Sequence, residues 1–440
     1  MNKIRRRTVS VLILVLVIAA GLCVYIVKFA VNGRSWASFS ANGNAYYEGR
    51  LALGTVTDRN GVVLASIDGG SRVFADERLV RVSTLHAVGD RYGNIGTGAL
   101  KAFASQLVGY NPVTGLYSLD GNGATVKLTI DSKLNAAAYK AMDGRSGCVA
   151  VADYKTGEVL CMVSTPSFDP ADPPTIASDD TSGVYINRFL SSSFTPGSVF
   201  KLVTLTSAIE NIDSLSDWSF DCDGSLDVNG DAVTCTRAHG ELKVEDALAV
   251  SCNGAFAELS LKLGGDALAK TADKLGMTGR MKISGISTAA GQFAKGADKS
   301  SDLAWSGVGQ YEDQVNPAEM LRLVMAIANG GRARQMTLKS PRSLDESRLM
   351  TAATADKIAE MMSYCVKKTY GEDNFPGLAL CAKSGTAEVG GGKDPNAWFV
   401  GFLQDTAHPL AFVVMVENGG WGSSAAGSVA NAVLQAAVSK

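Results

Sequence analysis

The order of apolar runs in this 440-residue sequence predicts an α+β protein: one antiparallel five-stranded sheet with helices on both faces, a short mixed module before it and one membrane helix at the N-terminus. Three observations carry that prediction. An uncharged run from Val9 to Val27 follows Lys3, Arg5, Arg6 and Arg7 and is closed by Lys28. Two strand-like runs near residue 150 form a hairpin, and three more lie between residues 378 and 417. Helical patterns fill the stretch between the two groups, so the early and late strands share one sheet whose faces those helices cover.

The first run is long enough to cross roughly 30 Å of hydrocarbon as a helix. Its basic leading flank puts the N-terminus in the cytoplasm and the rest of the chain outside. A cleaved signal peptide would have a shorter apolar core, and apolar residues continue past Ala19-Ala20-Gly21. A lipoprotein signal fits poorly because Cys23 follows Leu22 rather than a small residue. The expected division is a cytoplasmic tip over residues 1–8, a retained anchor over 9–27, a module over 29–125 and a larger domain over 126–440.

Within the module, residues 54–65 read as two strands turning at Asn60-Gly61, and residues 89–98 as glycine-rich loop. In the larger domain, Asp131 caps a helix running to Met142. Strands follow over 147–153 and 158–164, around the turn Tyr154-Lys155-Thr156-Gly157. Residues 165–190 are irregular. The helix from Ser198 to Ile209 is apolar nearly all round, the pattern of a helix buried mid-domain. Further helices cover 317–329 and 351–368, the strands 378–388, 397–403 and 410–417 form a meander, and 427–438 is a closing helix.

Composition narrows the chemistry. Net charge is −2, from 41 Lys+Arg against 43 Asp+Glu, which carries no nucleic-acid footprint. Three histidines leave little for a His-rich metal centre, so no metal and no cofactor is expected, and eight cysteines are too few for a disulfide-built scaffold. Serine, lysine and carboxylate chemistry is favoured.

Ser198-Val199-Phe200-Lys201 opens the apolar helix and is the only S-x-x-K in the chain. The two polar side chains share a face, a serine hydroxyl needs a base beside it, and a buried lysine becomes one as its pKa falls. The bland alternative is a helix-capping serine and a solvated lysine, but a bystander lysine does not belong in so apolar a helix. Ser251-Cys252-Asn253 supplies a second hydroxyl to relay a proton and an amide to hold Lys201 and a substrate peptide. Ser40-Ala41-Asn42 matches the same pattern and reads as polar loop. Lys383-Ser384-Gly385-Thr386 falls on a strand. Its cation and hydroxyls suit a carboxylate, Gly385 lets a substrate backbone lie close, and the N–H of Thr386 would pair with a helix-terminal N–H as an oxyanion site. Lys155-Thr156-Gly157 also matches, but it lies in a hairpin turn.

Serine helix, loop and strand motif, in that order, are the triplet of serine β-lactamases and penicillin-binding proteins. The sequence resembles a class B penicillin-binding protein, a membrane-anchored peptidoglycan D,D-transpeptidase. The resemblance extends over Asp58-Arg59-Asn60-Gly61, Leu128-Thr129-Ile130-Asp131, Thr156-Gly157-Glu158, the run from Ser164 to Pro170, Asn187-Arg188, Gly307-Val308-Gly309-Gln310, Asn316-Pro317, Ala328-Asn329-Gly330-Gly331 and Ala397-Trp398-Phe399-Val400-Gly401. Thr84 to Asp90 is similar to a Gram-positive subgroup. The short module departs from the class.

The resemblance implies the β-lactamase-like transpeptidase fold and a role for each motif residue. Ser198 is the nucleophile and Lys201 its base. Ser251 passes a proton to departing D-alanine, and the N–H groups of Ser198 and Thr386 hold the oxyanion. Lys383, Ser384 and Thr386 bind the terminal carboxylate, and Asn253 orients the donor. The implied partners are peptidoglycan stem peptides, β-lactams and a membrane glycan polymerase of the SEDS type, with no nucleic acid. A serine β-lactamase, a β-lactam sensor and a non-catalytic scaffold are the alternatives, and no E-x-x-L-N segment of a class A β-lactamase lies between Ser251 and Lys383.

Among the cysteines, Cys222 and Cys235 flank the hairpin at Asp227 to Asp231 and either pair or stay as buried thiols. Cys148 and Cys161 could face each other across the earlier hairpin. Cys252 and Cys381 read as packing residues, and His239 as a brace for a turn.

Overall fold

The computed structural model describes residues 2–118, 122–177 and 179–439. Helix α1 spans Asn2–Ala37, continuing beyond the expected end of the span at Val27 into the stretch assigned to the module. Its apolar stretch has a mean hydropathy of 3.0 and none of it is buried against the rest of the chain, so by length and composition it can cross a membrane.

The module contributes a four-stranded sheet of β1 (Thr55–Thr57), β2 (Val63–Asp68), β3 (Ser71–Phe74) and β4 (Thr125–Lys127), in the order β3-β2-β1-β4. β4 pairs parallel with β1 and lies across the expected 125/126 boundary, so the chain enters the larger domain directly from a strand. Asp58, wholly buried in the β1–β2 turn, explains the Asp58-Arg59-Asn60-Gly61 motif. One carboxylate oxygen accepts from the N–H groups of Asn60 and Val62, at 2.8 and 2.9 Å. The other takes the Ser132 hydroxyl at 2.8 Å. Ser132 opens α3 (Ser132–Met142), capped as expected by Asp131, so the turn is hydrogen-bonded to the larger domain. Arg81, on α2 (Arg78–Val88), adds a forked pair to Asp169 at 2.7 and 2.8 Å.

The central sheet joins β5 (Gly147–Asp153), β6 (Val159–Thr165), β11 (Leu380–Ala387), β12 (Asn396–Leu403) and β13 (Leu410–Val416) in the order β11-β12-β13-β5-β6, antiparallel throughout. The late meander docks on the early hairpin through β13 and β5, as the strand runs predicted. β12 and β13 are buried along their whole length, which requires cover on both faces. α3 and α8 (Gly422–Val438) pack together on one face; α6 (Pro317–Ala328) packs on the other, with α7 (Ala352–Cys365) beside it against β11. α6 starts with a full capping box from Asn316 and Glu319.

Between the two halves of the sheet lie small hairpins, β7 (Ser219–Cys222) with β10 (Gly240–Lys243) and β8 (Ser225–Val228) with β9 (Asp231–Thr234). They rest on α5 (Asn253–Leu263). The expected facing of Cys148 and Cys161 does not occur: Cys148 lies opposite Ser164 and Cys161 opposite Val151, because the strand register offsets them.

Candidate active site

The serine motif begins at Gly197, whose φ of +55° and close approach to β11 both require glycine: a Cβ there would lie 2.7 Å from the Thr386 carbonyl. The first turn is a tight 3₁₀ turn over Gly197–Phe200, and the α-helix proper, α4 (Lys201–Asn211), starts at the lysine. Three residues per turn stack positions three apart, so Ser198 and Lys201 remain on one face. The helix is buried almost throughout, as its composition predicted, and Lys201 is fully buried with it.

Lys201 Nζ donates to the Ser251 carbonyl at 2.7 Å, to Asn253 Oδ1 at 2.8 Å and to Ser251 Oγ at 3.3 Å; Ser198 Oγ is not among these partners. The Phe256 ring lies 5.5 Å from the ammonium. On the other side, the fully buried Lys383 donates from Nζ to Ser251 Oγ at 3.0 Å and to the Ser384 carbonyl at 2.8 Å. One serine hydroxyl thus sits between two buried lysines. Ser251 reaches that position with φ of +56°, a left-handed conformation that costs a non-glycine residue about 1–3 kcal/mol.

Every acceptor of the two ammonium groups is an uncharged oxygen, and among the described residues neither lysine forms an ion pair. Burial, followed by repulsion from Lys383, pushes Lys201 well below the ordinary lysine range. Burial pushes Lys383 down to about 8.

Lys383, Ser384, Gly385 and Thr386 lie on β11, the edge strand of the sheet. A Cβ on Gly385 would lie 2.9 Å from the Pro196 carbonyl and 3.0 Å from Val199, so glycine is what lets β11 run against the serine turn. The Ser384 N–H donates to the Tyr370 hydroxyl at 2.8 Å, away from β12. Thr386, two residues on, directs its N–H off the same edge. Its hydroxyl accepts the Gly422 N–H at 3.2 Å. All eight residues expected in the site therefore gather where the serine turn, the Ser251 loop and the β11 edge meet.

Sequence reasoning missed Tyr370 and Trp398. Tyr370 ends a π-turn over Val366–Tyr370 and its hydroxyl also bonds Ser384 Oγ at 2.9 Å; burial raises its pKa. Nothing local marks a tyrosine fourteen residues ahead of the serine it serves. Trp398 on β12 donates to the Thr195 carbonyl at 3.0 Å and steadies the approach to Ser198. It stands inside the Ala397-Trp398-Phe399-Val400-Gly401 motif, a signal that was legible. No disulfide joins Cys222 to Cys235, whose sulfurs are 3.8 Å apart. Those two, with Cys252 and His239, form the one group among the described residues with the donors and spacing for a metal ion.

Fold and site together define an enzyme of the serine acyl-transfer class that penicillins target. Residues 147–436 match the penicillin binding protein transpeptidase domain, and the chain belongs to that family. It is 25% identical over 362 residues to peptidoglycan D,D-transpeptidase PbpA of Mycobacterium tuberculosis, covering 72% of this chain and 73% of the relative. The D,D-transpeptidase domain of a peptidoglycan glycosyltransferase from Eggerthella lenta superposes with a TM-score of 0.73 at 26% identity, over 88% of this chain and 98% of that one. Penicillin-binding protein A from M. tuberculosis, solved as its penicillin G acyl-enzyme, gives a TM-score of 0.74 at 23% identity, over 88% and 99% of the two chains.

Proposed function

We propose that this chain is a membrane-anchored peptidoglycan D,D-transpeptidase that works through an acyl-enzyme on Ser198. The observation that carries the reading is the pair of buried lysines meeting at Ser251 Oγ beside the serine turn. Ser198 Oγ attacks the carbonyl between the last two D-alanines of a stem peptide and gives its proton to uncharged Lys201. The oxyanion lies between the N–H groups of Ser198 and Thr386. As the C–N bond breaks, Ser251 passes a proton to the departing amine of D-alanine. An acceptor amine then attacks the ester, its proton returns through Lys201 to Ser198, and a cross-link remains.

Lys383, Ser384 and Thr386 hold the terminal carboxylate, Gly385 admits the peptide alongside β11, and Asn253, kept in place by Lys201, orients the donor. β-Lactams enter as mimics of the same substrate. The apolar helix serves as the anchor, with residues 1–8 cytoplasmic, 29–125 a pedestal above it and 126–440 the extracytoplasmic catalytic part. Because cross-linking consumes nascent glycan, a membrane polymerase of the SEDS type is the proposed supplier.

The full-length chain in detergent, incubated with fluorescent penicillin, is expected to carry a stable covalent label that Ser198→Ala abolishes. Labelling that survives Ser198→Ala refutes the nucleophile. A label lost within seconds points instead to a hydrolytic β-lactamase.

A further inference from the structure

Four side chains from separate elements converge behind the Ser251 loop. Cys222 ends β7, Cys235 follows β9, His239 precedes β10, and Cys252 caps α5. Their four donor atoms all lie within 4.8 Å of one another. The separations are 3.8 Å for Cys222 Sγ to Cys235 Sγ, 3.7 Å for Cys235 Sγ to Cys252 Sγ and 3.4 Å for Cys222 Sγ to His239 Nδ1. A tetrahedral zinc with bonds of about 2.3 Å to sulfur and about 2.0 Å to nitrogen has edges of about 3.8 Å between sulfurs and about 3.5 Å from sulfur to nitrogen. A disulfide would need about 2.0 Å between sulfurs.

The surroundings are those of thiolates. Cys235 Sγ accepts the Gly254 N–H and Cys252 Sγ the Ala255 N–H, both at 3.4 Å. Both donors lie in the first turn of α5, where the helix dipole favours negative charge. The backbone fixes the ligand arms as well: the His239 N–H donates to the Cys222 carbonyl and the Cys235 N–H to the Gly224 carbonyl. Three sulfurs are an odd number, so any one disulfide leaves a thiol over, whereas one ion engages all four groups.

We propose that Cys222, Cys235, His239 and Cys252 bind one structural Zn²⁺, with Cys₃His ligation, that holds the catalytic Ser251–Asn253 loop. Three soft thiolates and one imidazole, with no water-filled fifth direction required, suit zinc above the oxygen-seeking cations. The connection to catalysis is short. Cys252 is flanked by Ser251 and Asn253, which both hold Lys201. Asn253 Nδ2 donates to the carbonyl of Thr234, the residue before Cys235, at 2.8 Å. The ion would therefore fix both ends of the Asn253 amide. The ligands are positioning residues for Lys201 and Ser251. The sequence concealed them because twelve residues separate Cys222 from Cys235 and twelve separate His239 from Cys252, outside any short cysteine-pair spacing.

The test is metal analysis of the full-length chain purified in detergent, without chelator or added metal. One zinc per chain is expected. Zinc should fall to background in Cys222→Ala and His239→Ala and stay at one in Cys381→Ala, whose thiol is buried elsewhere. Chain produced with Co²⁺ as the sole added metal should show the visible absorption of tetrahedral thiolate–cobalt, which reads the site without any variant. Stripping the zinc should slow penicillin acylation about ten- to a hundredfold, with recovery on adding stoichiometric ZnCl₂. Wild-type chain free of zinc overturns the proposal, whether all three cysteines then alkylate or the intact mass is lighter by the two hydrogens of a disulfide. A different metal in the site overturns the zinc assignment, and acylation indifferent to metal removal overturns the link to Ser251.

Discussion

The two edges of the central sheet have opposite fates. At the β6 edge, backbone from distant segments closes the ladder. The Val159 N–H donates to the Thr337 carbonyl at 3.0 Å and the Asp131 N–H to the Leu160 carbonyl at 2.8 Å. Thr129 Oγ1 bonds the carbonyls of both Val159 and Thr337, at 2.7 and 3.1 Å. At the β11 edge the neighbours belong to the candidate site: the serine turn, Tyr370 and the Ser251 loop. An unpaired edge is a liability that proteins ordinarily cover. Here one edge is covered to make the domain, and the other is kept for chemistry. Changes at β6 should be felt as stability and changes at β11 as rate.

The largest effect should come from closing the gap at β11. Gly385→Val puts carbon against Pro196 and Val199, and should slow fluorescent-penicillin acylation about a hundredfold while far-UV circular dichroism is unchanged. An unaltered rate would mean that the edge does not need to abut the serine turn.

The second test uses pH. In the proposed mechanism Lys201 acts uncharged, and burial together with the Lys383 charge lowers its pKa, so the rising limb of acylation should lie well below the ordinary lysine range. In the same proposal Lys383 must remain charged to hold a carboxylate, and burial pushes its pKa down to about 8. Acylation should therefore decline by about tenfold per unit once pH passes well above that value. Lys383→Arg, which stays charged, should move the decline to higher pH. A profile flat from pH 7 to about 10 would break this assignment of charges.

The smallest effect belongs to the covered edge. Thr129→Val removes a hydroxyl with two carbonyl partners and should cost about 1–2 kcal/mol in denaturant unfolding, with the acylation rate unchanged. A rate loss there would mean that the two edges are not separable.

The sequence exposed what depends on short range. Apolar runs gave all five strands to within two residues, because β12 and β13 are buried on both faces and read as unbroken hydrophobic segments. The serine, loop and strand motifs were legible because each packs several chemical groups into three or four residues. What needed the structure is contact between residues far apart in sequence. Tyr370 serves Ser384 across a turn, Ser251 adopts a left-handed backbone without being glycine, and three cysteines and a histidine meet only when two hairpins fold onto α5. The helix Asn2–Ala37 ran past Lys28 because a single charge ends an apolar run without ending a helix.

The hydrogen bond from Ser384 to Tyr370 also bears on how copies of this protein behave toward one another at a crowded surface. An exposed strand offers a template on which a neighbouring copy can extend the sheet, and chains so joined polymerise. Extension needs successive outward N–H groups, and here the Ser384 donor is already engaged. In the proposed binding mode a short peptide at Thr386 and Lys383 does not need it; a full-length intruding strand does. The tyrosine thus discourages use of this edge as a seam between molecules.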